Sequence, residues 1–209
     1  MASSVEVSLA QYANIIDEIK QRIIAIEHVR TGQAGLHPQL SKEFCFLQLR
    51  LICELIALCC LTAHGDLGRV ELGDLKKQYS ADKIIQKLGA LKPDFYPIPY
   101  TQIQQAPNAF HITDSKFQHL TKADLLLLYG RCGEVVHRGS IKRLTSKKIS
   151  EHTQLPVVAE WINKIVALLG QHRISLLHQQ AQLLCYLNDA KDGRVKVVIV
   201  EATKESEQP

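Results

Sequence analysis

The segment Leu125 to Gly139 reads Leu-Leu-Leu-Leu-Tyr-Gly-Arg-Cys-Gly-Glu-Val-Val-His-Arg-Gly, and within it Arg131, Glu134 and His137 recur at intervals of three. On an α-helix that spacing keeps the three within roughly 120° of one another, while Leu125, Leu128, Cys132 and Val136 fall on a different stripe. One stripe packs. The other offers a permanently charged donor, a carboxylate and an imidazole that titrates near neutrality. Gly130 and Gly133 each destabilise a helix by about 1 kcal/mol relative to alanine, which points to close approach by another backbone or a ligand. A purely structural reading fits the same residues: His137 as a cation at a helix C-terminus, and Arg131 with Glu134 as an exposed pair.

Arg131-x5-His137, preceded by two long helical patterns near residues 8 to 31 and 41 to 64, resembles the R-x4-6-H motif of the HEPN superfamily. The spacing also occurs at Arg22–His28, Arg30–His37 and Arg173–His178, so what carries the resemblance is context: the leucine run ahead, the small residues between, and the Val-His-Arg-Gly exit. It departs from the common form at Cys132, where a polar residue such as Asn or Asp usually follows the arginine. The resemblance implies an all-α domain, many of whose relatives dimerise and cleave RNA without a metal in toxin–antitoxin and phage-defence systems. It also implies roles. His137 would take the proton from a ribose 2′-hydroxyl or protonate the leaving oxygen, Arg131 would stabilise charge on the phosphate, and Glu134 would support them. Arg138, Lys142, Arg143, Lys147 and Lys148 would hold the RNA backbone, and two chains would build a composite site across a two-fold axis.

Other chemistry finds less support. Gly130-Arg131-Cys132-Gly133 spells the GxxG of KH domains without their flanking strands, and Cys132 with His137 as base makes a thin case for a thiol nucleophile. A helix-turn-helix over residues 70 to 91, with Lys76, Lys77, Lys83 and Lys87 on DNA, is a third reading. No P-loop, dinucleotide fingerprint, G-x-S-x-G or H-E-x-x-H occurs, so nucleotide-dependent, serine-hydrolase and zinc-peptidase classes lose their signatures. The six cysteines contain no C-x-x-C, and four lie within one apolar run. They read as reduced core residues, with no metal site and no cofactor.

The elements that must position this stripe follow from periodicity. Ser8 is expected to cap a first amphipathic helix through Leu9, Tyr12, Ile16, Ile19, Ile23 and Ile26, stopping at Gly32. Ser41 is expected to open a second, apolar on most of its circumference, ending at Gly65. Ser80 caps a short helix closing at Gly89, and Lys92 to Pro107, with Pro93, Pro97, Pro99 and Pro107, predicts an irregular packed loop. Thr121 and Asp124 have capping-box spacing ahead of the helix that carries Arg131. Pro156 suits the first turn of a helix around Trp161, ending near Gly170 or running on toward His178. Leu183 to Leu187 and Arg194 to Glu201 flank a turn rich in Asn, Asp and Gly and read as a β-hairpin. Its Val-rich second strand is either a dimer contact or a cover for the helical core.

The 209 residues carry 25 basic and 21 acidic side chains, a net charge of +4, too even a spread to grip duplex nucleic acid over a whole surface. Arg50 and Glu54 interrupt the apolar run Phe44 to Leu61, which favours a core helix over a membrane span, and Met1 to Glu6 shows no leader pattern. The expected protein is cytoplasmic and mostly α, an antiparallel helical bundle (1–180) with a small C-terminal β-hairpin (181–203) packed on it and a flexible tail (204–209). A homodimer is expected, with RNA or a cognate protein as further partner and no membrane. The functions in contention are an RNA-binding or metal-independent ribonuclease module and a non-catalytic dimerisation or binding protein.

Overall fold

The structure, a computed structural model, describes residues 4–64, 78, 80–106, 109–136, 155–176 and 181–201. Two long helices come first, α1 (Ser4–Arg30) and α2 (Pro38–Ala63). Then follow α3 (Ala81–Leu91), strands β1 (Ile98–Ala106) and β2 (Ala109–Asp114), and helices α4 (Lys122–Val136) and α5 (Leu155–Leu169). Strands β3 (Gln171–Ser175), β4 (Ala181–Tyr186) and β5 (Lys196–Glu201) complete the described elements.

The expectation of a mostly helical bundle with one small hairpin is overturned. The predicted hairpin exists as β4 and β5, but it belongs to a five-stranded antiparallel sheet in the order β2-β1-β3-β4-β5. One local pattern was misleading, and another left two outcomes open. The proline-rich segment expected to be a loop enters β1 at Ile98, with Pro99 near the start of the strand. Its carbonyl accepts from Ser115 N–H at 2.8 Å, and β1 pairs with β3 only at Ile98 and Pro99. Of the two ends expected for the helix around Trp161, near Gly170 or toward His178, the structure takes the first, at Leu169. A Cβ on Gly170 would stand 2.9 Å from the Val166 carbonyl oxygen, so glycine permits the chain to fold straight into β3.

α2 is the centre. Cys45, Leu49, Ile52, Cys53, Ile56, Ala57 and Cys60 on it are all fully buried, and α1, α3, α4 and α5 pack around it. By length and composition α2 could cross a membrane. In the structure one face of it is instead the interior of the fold. It opens earlier than expected, on His37 and Pro38: the His37 ring Nδ1 accepts from Gln39 N–H at 3.3 Å, and proline suits the first helical position. Ser41, the expected cap, is buried in the first turn. α1 also begins before Ser8, and it ends at Arg30, with Gly32 at φ +79° in the turn that follows. α3 begins after Ser80 as expected, but the Ser80 hydroxyl donates to the Asp82 carboxylate rather than accepting from a backbone N–H, and the helix runs two residues past Gly89. The first half of the proposed helix-turn-helix lies outside the described residues.

One buried polar contact joins the first helix to the sheet. The His172 Nδ1 lies 3.1 Å from the Leu169 carbonyl and its Nε2 lies 2.6 Å from the Tyr12 hydroxyl, with both rings fully buried. A carbonyl can only accept, so Nδ1 carries the proton and Tyr12 donates to Nε2. The pair is satisfied only while the imidazole is neutral. Burial accordingly pulls the His172 pKa down to about 4 and raises that of Tyr12. In the unfolded chain the imidazole titrates near ~6.5, so between that value and about 4 the unfolded state binds a proton that the native state refuses. Stability therefore falls as pH drops through this window, by about 3 kcal/mol in all, and is flat above it. In an NMR titration of the histidine ring protons, His172 is expected to show no transition near neutrality and to remain neutral until the fold is lost. A midpoint near the free value would refute the assignment.

Candidate functional site

α4 is set in place at its first turn. Asp124 N–H donates to Thr121 Oγ1 at 3.1 Å and Thr121 N–H donates to the Asp124 carboxylate at 3.2 Å, the reciprocal capping box expected from the sequence. Lys164 of α5 reaches the same carboxylate at 3.2 Å, and Leu120 N–H donates to the Lys164 carbonyl. Burial alone would raise the Asp124 pKa, but the Thr121 N–H and Lys164 outweigh it and hold the carboxyl low.

From there the helix presents two sides. Leu125, Leu128 and Cys132 are fully buried, so the packing stripe is where the spacing put it. Beside them Tyr129 meets the two charges in the middle of α2. Arg50 Nη2 donates to the Tyr129 hydroxyl at 2.7 Å, the hydroxyl donates to Glu54 Oε1 at 3.0 Å, and Arg50 Nε lies 3.4 Å from the same oxygen. The guanidinium carbon stands 4.2 Å from the Tyr129 ring centroid, a cation–π stack added to the ion pair. Burial, together with the Glu54 carboxylate and against a hydrogen bond from Ser80, raises the Tyr129 pKa. Each member satisfies the others, which is how two charges are tolerated inside an apolar helix face.

In the sequence alone Arg50 and Glu54 speak only against a membrane span. Their i, i+4 spacing on an otherwise apolar helix was the available signal that a polar partner would face them.

The two glycines differ. A Cβ on Gly133 would come within 3.2 Å of Arg50 Nη1, so Gly133 makes room for the guanidinium. Gly130 has nothing within 4 Å, and the expected close approach is absent there among the described residues.

The chemical stripe is turned to solvent. Arg131 and Glu134 are both exposed, and Leu127, which shares their side, is 57% exposed. His137 lies outside the described residues, as do Arg138, Lys142, Arg143, Lys147 and Lys148, so the predicted Arg131–His137 pair is half placed. The thiol-nucleophile reading of Cys132 is overturned. The side chain is fully buried and burial lifts its pKa to about 12, with Arg50 and Arg131 only partly opposing this. A thiol in that state neither attacks nor ligates.

The remaining cysteines are all buried too, and no group of three His, Cys, Asp or Glu side chains among the described residues is arranged to hold a metal. At the far end of α2, His64 Nδ1 donates to the Cys60 carbonyl at 2.8 Å, while Lys92 Nζ donates to the Ser175 carbonyl at 2.7 Å. The first closes the end of α2 on itself, and the second ties the end of α3 to β3.

No family model matches the chain, and neither a curated protein nor a solved structure is similar to it at a significant level.

The contrast between the glycines is measurable. Gly130→Ala, with open space around the added methyl, is expected to stabilise the protein by about 0.5–1 kcal/mol in urea unfolding. Gly133→Ala should gain nothing or destabilise, since the Arg50 guanidinium, 3.2 Å from the added methyl, must shift against Tyr129 to admit it. Equal gains at both positions would show that the guanidinium is not held against α4.

Proposed function

We propose that the protein is a binding module for a phosphodiester backbone, RNA, using the solvent side of α4 and the basic run that follows it in sequence. The observation that carries this reading is the division of α4 into a fully packed side and an outward side that bears Arg131. The chain then continues into Arg138, Lys142, Arg143, Lys147 and Lys148 within about a dozen residues. Arginine presents a planar fork of donors that fits a phosphate, and lysines add point charges along a strand. A net charge of only +4 confines such an interaction to one patch. RNA cleavage by Arg131 and His137 is the stronger form of the same reading, and it needs the imidazole beside the guanidinium.

Fluorescence anisotropy with a single-stranded RNA at several salt concentrations tests the proposal. Binding is expected to weaken as salt rises, with a logarithmic slope of about 0.7 per phosphate contacted. The triple variant Lys142→Ala, Arg143→Ala, Lys147→Ala should lose about two units of that slope and ~10-fold or more in affinity. Binding that ignores salt, or is unchanged in the triple variant, would sink the reading. Incubation of the same RNA with a chelator present separates the two forms: cleavage abolished by His137→Ala makes the protein a nuclease, and intact RNA leaves it a binder.

A further inference from the structure

Two buried side chains face one carbonyl where α2 and α3 end against β3. His64 closes α2 and is 1% exposed, and Lys92 closes α3 and is 8% exposed. The His64 Nδ1 must carry a proton, because its partner, the Cys60 carbonyl at 2.8 Å, can only accept. That leaves Nε2 of the neutral ring as a buried lone pair, and among the described residues nothing donates to it. The group near it is the Ser175 carbonyl, itself an acceptor, which lies close enough to favour a protonated ring. This carbonyl already accepts from Lys92 Nζ at 2.7 Å. The same ammonium has a second oxygen within reach, the Asp94 carboxylate at 3.9 Å, whose side chain is 59% exposed.

We propose that His64 is an acid-operated latch: on protonation it takes the Ser175 carbonyl from Lys92, the ammonium crosses to Asp94, and the end of α3 is released from the sheet. The step moves one proton from solvent to Nε2 and breaks no covalent bond. An imidazolium keeps its bond to Cys60 and gains one to Ser175, at the C-terminal end of α2, where the helix dipole favours a cation. Burial opposes it most, and the Lys92 ammonium adds to this. Together they outweigh the Cys60 and Ser175 carbonyls and the Asp94 carboxylate, so the His64 pKa lies below its ordinary value. Lys92 and Asp94 are the charged groups that face the ring from beyond α3, while α2 and β3 present the carbonyls of Cys60 and Ser175.

The direction of the exchange follows from reach. His64 is pinned through Nδ1, whereas Lys92 has a long stem and a carboxylate near water, so of two cations at one buried carbonyl the lysine yields. Its departure loosens the strap 92–97 between α3 and β1, which stays anchored by the buried rings of Phe95 and Tyr96. His64 is thus the converse of His172, fully hydrogen-bonded only when charged. The inference is independent of RNA binding and would survive its failure.

Hydrogen exchange of the full chain read by NMR, corrected for the intrinsic effect of pH on exchange, tests the latch between about pH 7.5 and about pH 5. The Lys92 and Phe95 amides, bonded to the Leu88 and Lys92 carbonyls, should lose about 10-fold in protection with the same midpoint as the His64 ring signals. Amides of the β4–β5 ladder should keep theirs, which separates the latch from a general loosening driven by His172. Lys92→Met, similar in size and uncharged, should raise the His64 midpoint by about one pH unit and abolish the step at Phe95. Asp94→Asn should lower the midpoint, and His64→Gln should leave the profile flat. A wild type without the step, a step that persists in His64→Gln, or a His64 midpoint indifferent to Lys92→Met would overturn the proposal, and the Lys92→Met result decides it if the glutamine variant fails to fold.

Discussion

One helix is too apolar to be left in water, and the rest of the architecture can be read as the response. α2 buries Cys45, Leu49, Ile52, Cys53, Ile56 and Cys60 completely, and each leucine or isoleucine among them contributes on the order of 1.5–3 kcal/mol when removed from solvent. No single neighbour covers that circumference, so α1, α3, α4 and α5 are all drawn onto it. The sheet then closes the far side of α1 and α5 through His172, Ile174, Leu183 and Cys185. The orientation of α4, and with it the outward course of Arg131, is a by-product of this demand.

Charges on such a helix must be answered from across the interface, and α4 supplies the answer. Tyr129 stacks on Arg50 and bridges to Glu54, and Gly133 leaves space for the guanidinium. The polar contact therefore determines how α4 is rotated about its axis as firmly as Leu125 and Leu128 do. A single helix serves the core with one side and turns Arg131 and Glu134 to solvent with the other, so the packing residues and the polar ones are not the same.

The parts legible in the sequence were those in which local pattern and tertiary demand agree. The capping box at Thr121 and Asp124, the buried stripe of α4, the two long first helices and the β4–β5 pairing all followed from spacing. What was not legible was the breadth of the sheet. Pro99 within β1 and Pro97 and Pro107 on either side of it mimic a loop, and Pro99 is accommodated near the start of the strand, where its carbonyl still accepts from Ser115 N–H. β3 is five residues long and begins immediately after a helix, so its period-two signal is drowned by the preceding pattern of threes and fours. The Arg50–Tyr129–Glu54 contact joins residues 75 to 79 positions apart, a pairing that no local window exposes. Of the site, the outward stripe was legible as far as Arg131 and Glu134.

The burial of Cys45, Cys53, Cys59, Cys60, Cys132 and Cys185 has a consequence for how the molecule ages. While the fold holds, burial keeps these sulfurs protonated and out of reach of oxidants. Once α2 is uncovered, four thiols emerge together on a sticky apolar surface and become free to cross-link neighbouring chains. Loss of the native state is then hard to reverse without a reductant, so the working lifetime of the protein is governed by how seldom its central helix opens.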